Sequence, residues 1–177
     1  MTLVRNILIG VVGLVIVLFL VGFLLPREVH VEREVQIEAS QETVFALIND
    51  FKEWPKWSPW EGLDPDMTME VTGPDSGVGQ VMRWSGNKDV GEGMQKITVS
   101  EPYELIENEL DFGDMGVAKS FFRIEPAEGG SLVTWGFDTD MGGNPVGRYM
   151  GLLMDRWLGR DYDRGLQQLK EAAESGA

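Results

Sequence analysis

The residues from Asn144 to Ala173, NPVGRYMGLLMDRWLGRDYDRGLQQLKEAA, constrain the fold more than any other stretch of the chain. Asn144 is suited to cap a helix, because its side-chain oxygen accepts from free first-turn N–H groups. Pro145 follows at the position where a missing N–H costs nothing. Val146, Met150, Met154, Leu158, Tyr162, Leu166, Leu169 and Ala173 then recur in steps of four, once three, while Arg156, Arg160, Asp163, Arg164 and Lys170 fall off that line. The pattern predicts one amphipathic helix, ~45 Å long at a rise of ~1.5 Å per residue. A rod of that length needs an apolar surface to lie on.

Upstream runs supply the surface. Val29 to Glu38 alternates, with Val29, Val31, Val35 and Ile37 on one side and His30, Glu32, Glu34, Gln36 and Glu38 on the other. Arg33 falls on the apolar parity, and a bulge or the start of the strand is expected to turn it outward, since unpaired buried charge is costly. Ser40 is expected to cap a short helix from Gln41 to Asn49. From Met67 six more strand-like runs follow. Their inward sides read Met67, Met69, Val71; then Met82, Trp84; then Gln95, Ile97, Val99. The last three read Ile106, Asn108, Leu110, Phe112; then Ala118, Ser120, Phe122, Ile124; then Val133, Trp135, Phe137, Thr139. The opposite sides carry Glu70, Arg83, Lys96, Glu109, Lys119, Arg123 and Asp138, as an antiparallel sheet covered on one face requires. Hairpin-length connections at Gly86–Gly91, Gly113–Gly116 and Glu128–Gly130 make the meander sequential.

At the other end of the chain, Ile7 to Leu25 holds nineteen residues without a charge, ~28 Å as a helix against the ~30 Å core of a bilayer. It is expected to cross the membrane through residues 6–25 as an uncleaved anchor. A cleaved signal peptide is the rival reading, but the run is long for one and no small-x-small site precedes Pro26-Arg27-Glu28. The short basic tail around Arg5 places the domain on the extracytoplasmic side. The chain then divides into an anchor at 1–28, a ligand-binding domain at 29–173 and a disordered tail at 174–177. Its formal charge is −14, and Arg5 is the one charged residue among the first twenty-five, so the acidic excess belongs to the domain. Nucleic acid is excluded as a partner on that ground. With no cysteine and one histidine, thiol chemistry, zinc clusters and histidine triads are excluded as well, and no cofactor or metal is expected.

The sheet's inner side is rich in methionine and aromatic residues, and the helix adds Met150 and Met154. It also holds Gly147, Gly151, Gly159 and Gly165, each costing about 1 kcal/mol in a helix relative to alanine. Close approach of the sheet explains them, or room for a guest. An aromatic, methionine-lined hollow with a few polar groups is what apolar ligands use. Its expected lining is Met82, Trp84, Ile97, Asn108, Leu110, Phe112, Ser120, Phe122, Trp135, Phe137, Met150 and Met154. Asn108, Ser120, Gln95 and Thr139 are its polar members, although each taken alone is explained by a satisfied core network or a bound water. The run Trp54–Trp60 (WPKWSPW) is expected to pack under the short helices and close one end of the core, rather than to form a membrane-facing belt.

Three stretches carry a family resemblance: Val35–Asp50 (VQIEASQETVFALIND), Trp54–Trp60, and Gly165–Glu171 (GLQQLKE). Together they resemble START-like (SRPBCC) proteins of the polyketide cyclase/dehydrase and lipid-transport type, over residues 29 to 173. The resemblance implies an α+β helix-grip fold: a curved seven-stranded antiparallel sheet around the long C-terminal helix, with two short helices after the first strand. It also implies an internal cavity for hydrophobic molecules.

Three functions fit. The first is a membrane-tethered binding or transfer protein for a lipid or other hydrophobic small molecule, which needs no catalytic residue. The second is a cyclase or dehydratase, for which Asp138, Asp140, Glu109 or Arg148 would supply acid or base. The two aspartates lie on the wet parity, where a solvated carboxylate has no raised pKa, which ranks this reading lower. The third is an interaction or stress module that docks a membrane protein through its acidic exterior or the Trp54–Trp60 loop.

Overall fold

The computed structural model describes residues 2–176. Three helices, α1 (Thr2–Gly22), α2 (Gln41–Ile48) and α3 (Pro145–Ser175), accompany seven strands. The strands are β1 (Glu28–Ile37), β2 (Thr68–Thr72), β3 (Val81–Ser85), β4 (Glu92–Glu101), β5 (Leu105–Asp111), β6 (Val117–Ala127) and β7 (Gly130–Asp140). They form one antiparallel sheet in the order β1-β7-β6-β5-β4-β3-β2, so the first strand closes onto the last and β2 is the far edge. The result is the expected helix-grip architecture, with one difference in detail. After α2, a single 3₁₀ turn (Trp54–Lys56) stands where a second short helix was expected.

Local chemistry places the elements as the sequence predicts. Ser40 accepts from the Thr43 N–H at the start of α2, and Asn144 accepts from the Val146 N–H at the start of α3. Of the tail expected at 174–177, Glu174 and Ser175 continue α3 and Gly176 caps it, while Ala177 lies outside the described residues. In β4 a bulge at Thr98 shifts the register between Ile97 and Val99. Val99, expected to point inward, therefore stands opposite Glu107 on the outer side. Ser100 takes the inner place opposite Ile106, and its hydroxyl donates to Asn49 Oδ1 at 2.7 Å.

The second half of α3 presents Tyr162, Leu166, Leu169 and Ala173 to the core, all nearly inaccessible to solvent. The first half departs from the expected stripe, because Val146 is 61% and Met150 48% exposed. The reason is geometric. A step of four residues overshoots a turn by ~40°, so the four steps from Val146 to Tyr162 carry the stripe roughly 160° around the helix. The helix glycines mark close approach rather than space for a guest. A β-carbon at Gly165 would lie 2.7 Å from the Trp135 ring and 2.9 Å from Pro59, one at Gly151 would meet Val29, and one at Gly159 would collide with the Arg33 guanidinium.

Arg33 accordingly stays on the inner side of β1, opposite Trp135, and is not turned out by a bulge. It reaches α3, where it donates to Asp155 Oδ1 at 2.9 Å and lies 3.5 Å from Asp163. Paired this way the cation ties strand to helix without an unpaired buried charge. Gln80 provides a second polar fastening that the strand pattern did not reveal. Fully buried, it accepts from the Phe51 N–H at 2.7 Å and donates to Asp50 Oδ1 at 2.7 Å and the Asp75 carbonyl at 2.8 Å.

Helix α1 is long and apolar enough to cross a membrane, and its side chains from Leu3 to Leu20 are exposed. It begins earlier and ends earlier than expected, since Phe23–Leu25 form a turn. Its end is fastened to the domain. Arg148 donates to the carbonyls of Phe23 at 2.7 Å and Leu25 at 3.3 Å, and the Tyr149 hydroxyl donates to the Leu18 carbonyl at 2.7 Å. Just beyond, Arg27 Nε donates to Asp140 Oδ1 at 2.6 Å; with the Gly142 N–H it holds the Asp140 carboxyl at a pKa of about 2.

Gly165→Ala discriminates close approach from spare room. In an exposed helix this change would stabilise by about 1 kcal/mol, whereas overpacking against two rigid rings costs roughly 1–3 kcal/mol. We expect a net loss, seen as a lower midpoint in thermal unfolding followed by tryptophan fluorescence. For Gln80→Leu, which orphans the buried Phe51 N–H, we expect a loss of about 1–3 kcal/mol in denaturant titration.

Candidate functional site

A ring stack at the centre of the fold decides where space is left. Trp135 on β7 stacks on Tyr162 of α3 with centroids 3.8 Å apart and planes 11° from parallel, and on Phe122 of β6 at 4.9 Å. Trp54, Trp57 and Trp60 meet Trp135 edge-on. Trp54 and Trp57 are buried, their indole N–H groups donating to the carbonyls of Ile48 and Leu47. The loop thus closes the core, and a docking module built on it would have no exposed surface at Trp57. Helix α3 lies close along β1 and does not cover β2 to β5. On that uncovered side, sheet, helix and tryptophan loop enclose a cavity of about 390 Å³.

Its floor is Met82, Trp84, Gln95, Leu110 and Phe112; Ala118, Phe137 and Thr139 form a side; Met154, Leu158 and Tyr162 form the helical wall. Six of the expected lining residues are therefore brought together: Met82, Trp84, Leu110, Phe112, Phe137 and Met154. Ile97, Asn108, Ser120, Phe122 and Trp135 are buried in the packed core beyond the cavity's end and do not line it. Met150 faces outward and is not part of it, because of the stripe's drift. Residues not expected in the lining include Trp54, Ser58, Trp60 and Glu61 from the tryptophan loop, Val90, Met115 and Met141 from the connections between elements, and Val117 at the start of β6. Turn residues have no periodicity to reveal which way they point, so an apolar side chain in a polar turn was the one available signal.

The polar groups are few. Gln95 is 3% exposed and lines the floor. Behind it, Asn108 stands opposite Ser120, is 1% exposed, and has no hydrogen-bond partner at either side-chain atom among the described residues. Ser120 accepts from the Trp135 indole N–H at 3.2 Å. Tyr162 is fully buried, and desolvation raises its phenol above the ordinary value, so it remains protonated and can only donate or accept a hydrogen bond.

The residues weighed for acid–base work lie elsewhere. Asp138 sits on the outer side, its Oδ1 2.7 Å from His30 Nδ1, and this contact raises the imidazole above its ordinary value. Asp140 pairs with Arg27, Glu109 lies between Lys96 and Lys119 on the outer side, and Arg148 is spent on α1. Glu61 is the carboxylate among the lining residues, and it is exposed. No group of His, Cys, Asp or Glu among the described residues could hold a metal ion.

The opening has a definite direction. Strands β1, β2, β4 and β6 start, and β3, β5 and β7 finish, at one end of the sheet, the end at which α1 joins β1. Val90, Met115 and Met141 lie in the connections at that end and Val117 is the first residue of β6 there, with Met115 78% and Val117 63% exposed.

Comparison with solved structures places these features in a known fold. The di-domain ARO/CYC StfQ from the steffimycin biosynthetic pathway superimposes with a TM-score of 0.64 at 13% identity, over 84% of this chain and 51% of that one. A protein from Rhodobacter sphaeroides matches at 0.63 and 18% identity, over 83% and 93%. Ara h 8.0201 matches at 0.61 and 13% identity, over 84% and 99%. A search of curated proteins found no sequence match. At these identities the likeness concerns the fold. A family model described as polyketide cyclase / dehydrase and lipid transport matches residues 28–174, the entire sheet with α2 and nearly all of α3, and the chain belongs to that family.

Proposed function

We propose that this protein is a membrane-tethered binding or transfer protein for a hydrophobic small molecule. The observation that carries the reading is a greasy cavity of about 390 Å³ whose apolar rim lies at the end of the sheet joined to α1. In this reading α1 crosses the bilayer, the domain stands on the extracytoplasmic side, and a guest enters from the lipid side. The volume is near the lower end of the roughly 300–1,000 Å³ typical of ligand cavities, which favours a single acyl chain or compact ring system over a two-chain lipid.

The energetics need no chemistry beyond burial. Removing ~300 Å² of apolar ligand surface from water gives a gross ~7 kcal/mol at ~25 cal/mol per Å², from which association costs are subtracted. Gln95 on the floor would take the guest's one polar group, with Tyr162 as a neighbouring hydroxyl. A buried water would answer the unpartnered amide of Asn108 behind it. Among the lining residues the carboxylate, Glu61, is exposed and Tyr162 stays protonated, and neither is the buried general base that an enzymatic reading requires.

Purified in mild detergent, the full chain should release a hydrophobic guest, read by native mass spectrometry and organic extraction. Ala118→Trp, which places an indole in the cavity, should abolish that guest while leaving the circular dichroism spectrum unchanged. Release of no guest by the parent chain, together with failure to take up a fluorescent fatty acid, would sink the reading. For Gln95→Leu we expect binding of a fatty acid to weaken by roughly 1 kcal/mol, about fivefold, with little change for an unsubstituted hydrocarbon of equal length. Equal loss for both ligands would remove Gln95 from its assigned part.

A further inference from the structure

The side of α3 that faces away from the sheet has a composition of its own. Val146, Met150, Leu153 and Trp157 recur at steps of four, three and four and so form one stripe, 41–61% exposed. Water gives no reason for four large apolar side chains to gather on one outward face of an acidic domain. Around Trp157 the helix turns basic. Arg164 is held by Asp161 and the Pro59 carbonyl, but Arg156 and Arg160 are exposed and carry no ion pair among the described residues. The helix's acids do not neutralise them, because Asp155 and Asp163 are drawn to Arg33 and Asp161 to Arg164. Aliphatic residues with tryptophan and arginine beside them are the chemistry of a helix lying in the headgroup interface.

The position of α1 says what covers this face. Gly22 packs on Pro145, and the Leu18 carbonyl accepts from Tyr149. The contacts are one turn apart on both helices and run in opposite chain sense, so for that turn α1 lies alongside α3, next to the stripe. The apolar face of α3 is therefore continuous with the exposed apolar surface of α1. We propose that the outward face of α3 from Val146 to Trp157 is seated in the bilayer interface beside α1, with Arg156 and Arg160 on anionic lipid phosphates. This rests on the insertion of α1 set out above. Helix α3 then serves two media: Met154 and Leu158 wall the cavity on its inner side while its outer side lies against lipid. Docking in this way fixes the domain's tilt and holds the cavity rim near the headgroups.

The chain has no cysteine, so single labels are unambiguous. We would place an environment-sensitive nitrobenzoxadiazole label at Leu153→Cys, at Leu14→Cys within α1, and at Glu128→Cys in the β6–β7 turn at the opposite end of the sheet. The full chain would be reconstituted in vesicles of phosphatidylcholine and phosphatidylglycerol. Nitroxide-bearing lipids should quench the labels at 14 and 153 and spare that at 128. Arg156→Glu combined with Arg160→Glu should reduce quenching at 153 without changing it at 14. A label at 14 that is quenched while that at 153 is not would overturn the docking and leave the tether standing. Protection of 153 from aqueous iodide without quenching by lipid nitroxides would mean that a second protein copy covers the face, and would overturn it too. Quenching at neither site would remove the tether and the docking together.

Discussion

Everything in this molecule hangs on the stack of Trp135 against Tyr162. It is the point where sheet and helix meet through two large flat surfaces, and such pairs add about 0.5–1.5 kcal/mol beyond the area they bury. Its larger consequence is geometric. Flat rings cannot interpenetrate, so the stack sets the separation of the layers at the centre, and Gly165 gives up its side chain to admit the Trp135 ring edge. On the β1 side, Gly151 and Gly159 let α3 come down onto Val29 and Arg33. On the β2–β5 side nothing draws the helix down, and the separation persists as a cavity. The same contact that holds the domain together also keeps it from closing.

The polar groups divide along the same line. Where the layers touch, they are satisfied: Gln80 has both ends of its amide bonded and Arg33 meets two aspartates. Where the layers part, Gln95 lines the cavity, and Asn108 behind it has no partner among the described residues. An unmet buried amide costs about 1–3 kcal/mol, and among the described residues it recurs in a side chain only at the Gln168 oxygen on α3. Buried beyond the cavity's end, Asn108 is suited to an ordered water rather than to a guest.

The architecture was legible because period-two and period-3.6 patterns are long-range signals. Alternation over six runs places each strand's inner side, and a capped amphipathic rod places the layer above it. What was not legible is what those periods do not encode. A four-residue step drifts around a helix, which sent Met150 outward while Met154 stayed at the cavity. One extra residue at Thr98 inverted the ladder beyond it. Pattern alone also could not separate lining from packing: Phe122 and Phe137 share a parity on neighbouring strands, yet one is buried beneath the tryptophans and the other faces open space. That difference is set by where α3 lies across the sheet, a matter of tertiary geometry. The rim escaped altogether, since Met115 and Met141 sit in connections where no repeat applies and Val117 is the first residue of β6, on its outer parity.

The arrangement of rim and anchor bears on how a guest would travel. An apolar molecule leaving a bilayer for a cavity through water exposes its whole surface on the way, at ~25 cal/mol per Å². For ~300 Å² that is a gross ~7 kcal/mol barrier, or a slowing of about five orders of magnitude. A rim of exposed methionine and valine at the anchored end of the sheet shortens the path on which that penalty is felt. Methionine suits the place, being flexible enough to part for a guest and apolar enough to solvate it. In the proposed reading the acidic exterior works in the same direction. It would keep the rest of the domain off an anionic surface, so that contact falls where the charge relents, along α3 and the junction with α1. On that reading α1, rim and charge act on one quantity, the distance over which an apolar surface must face water.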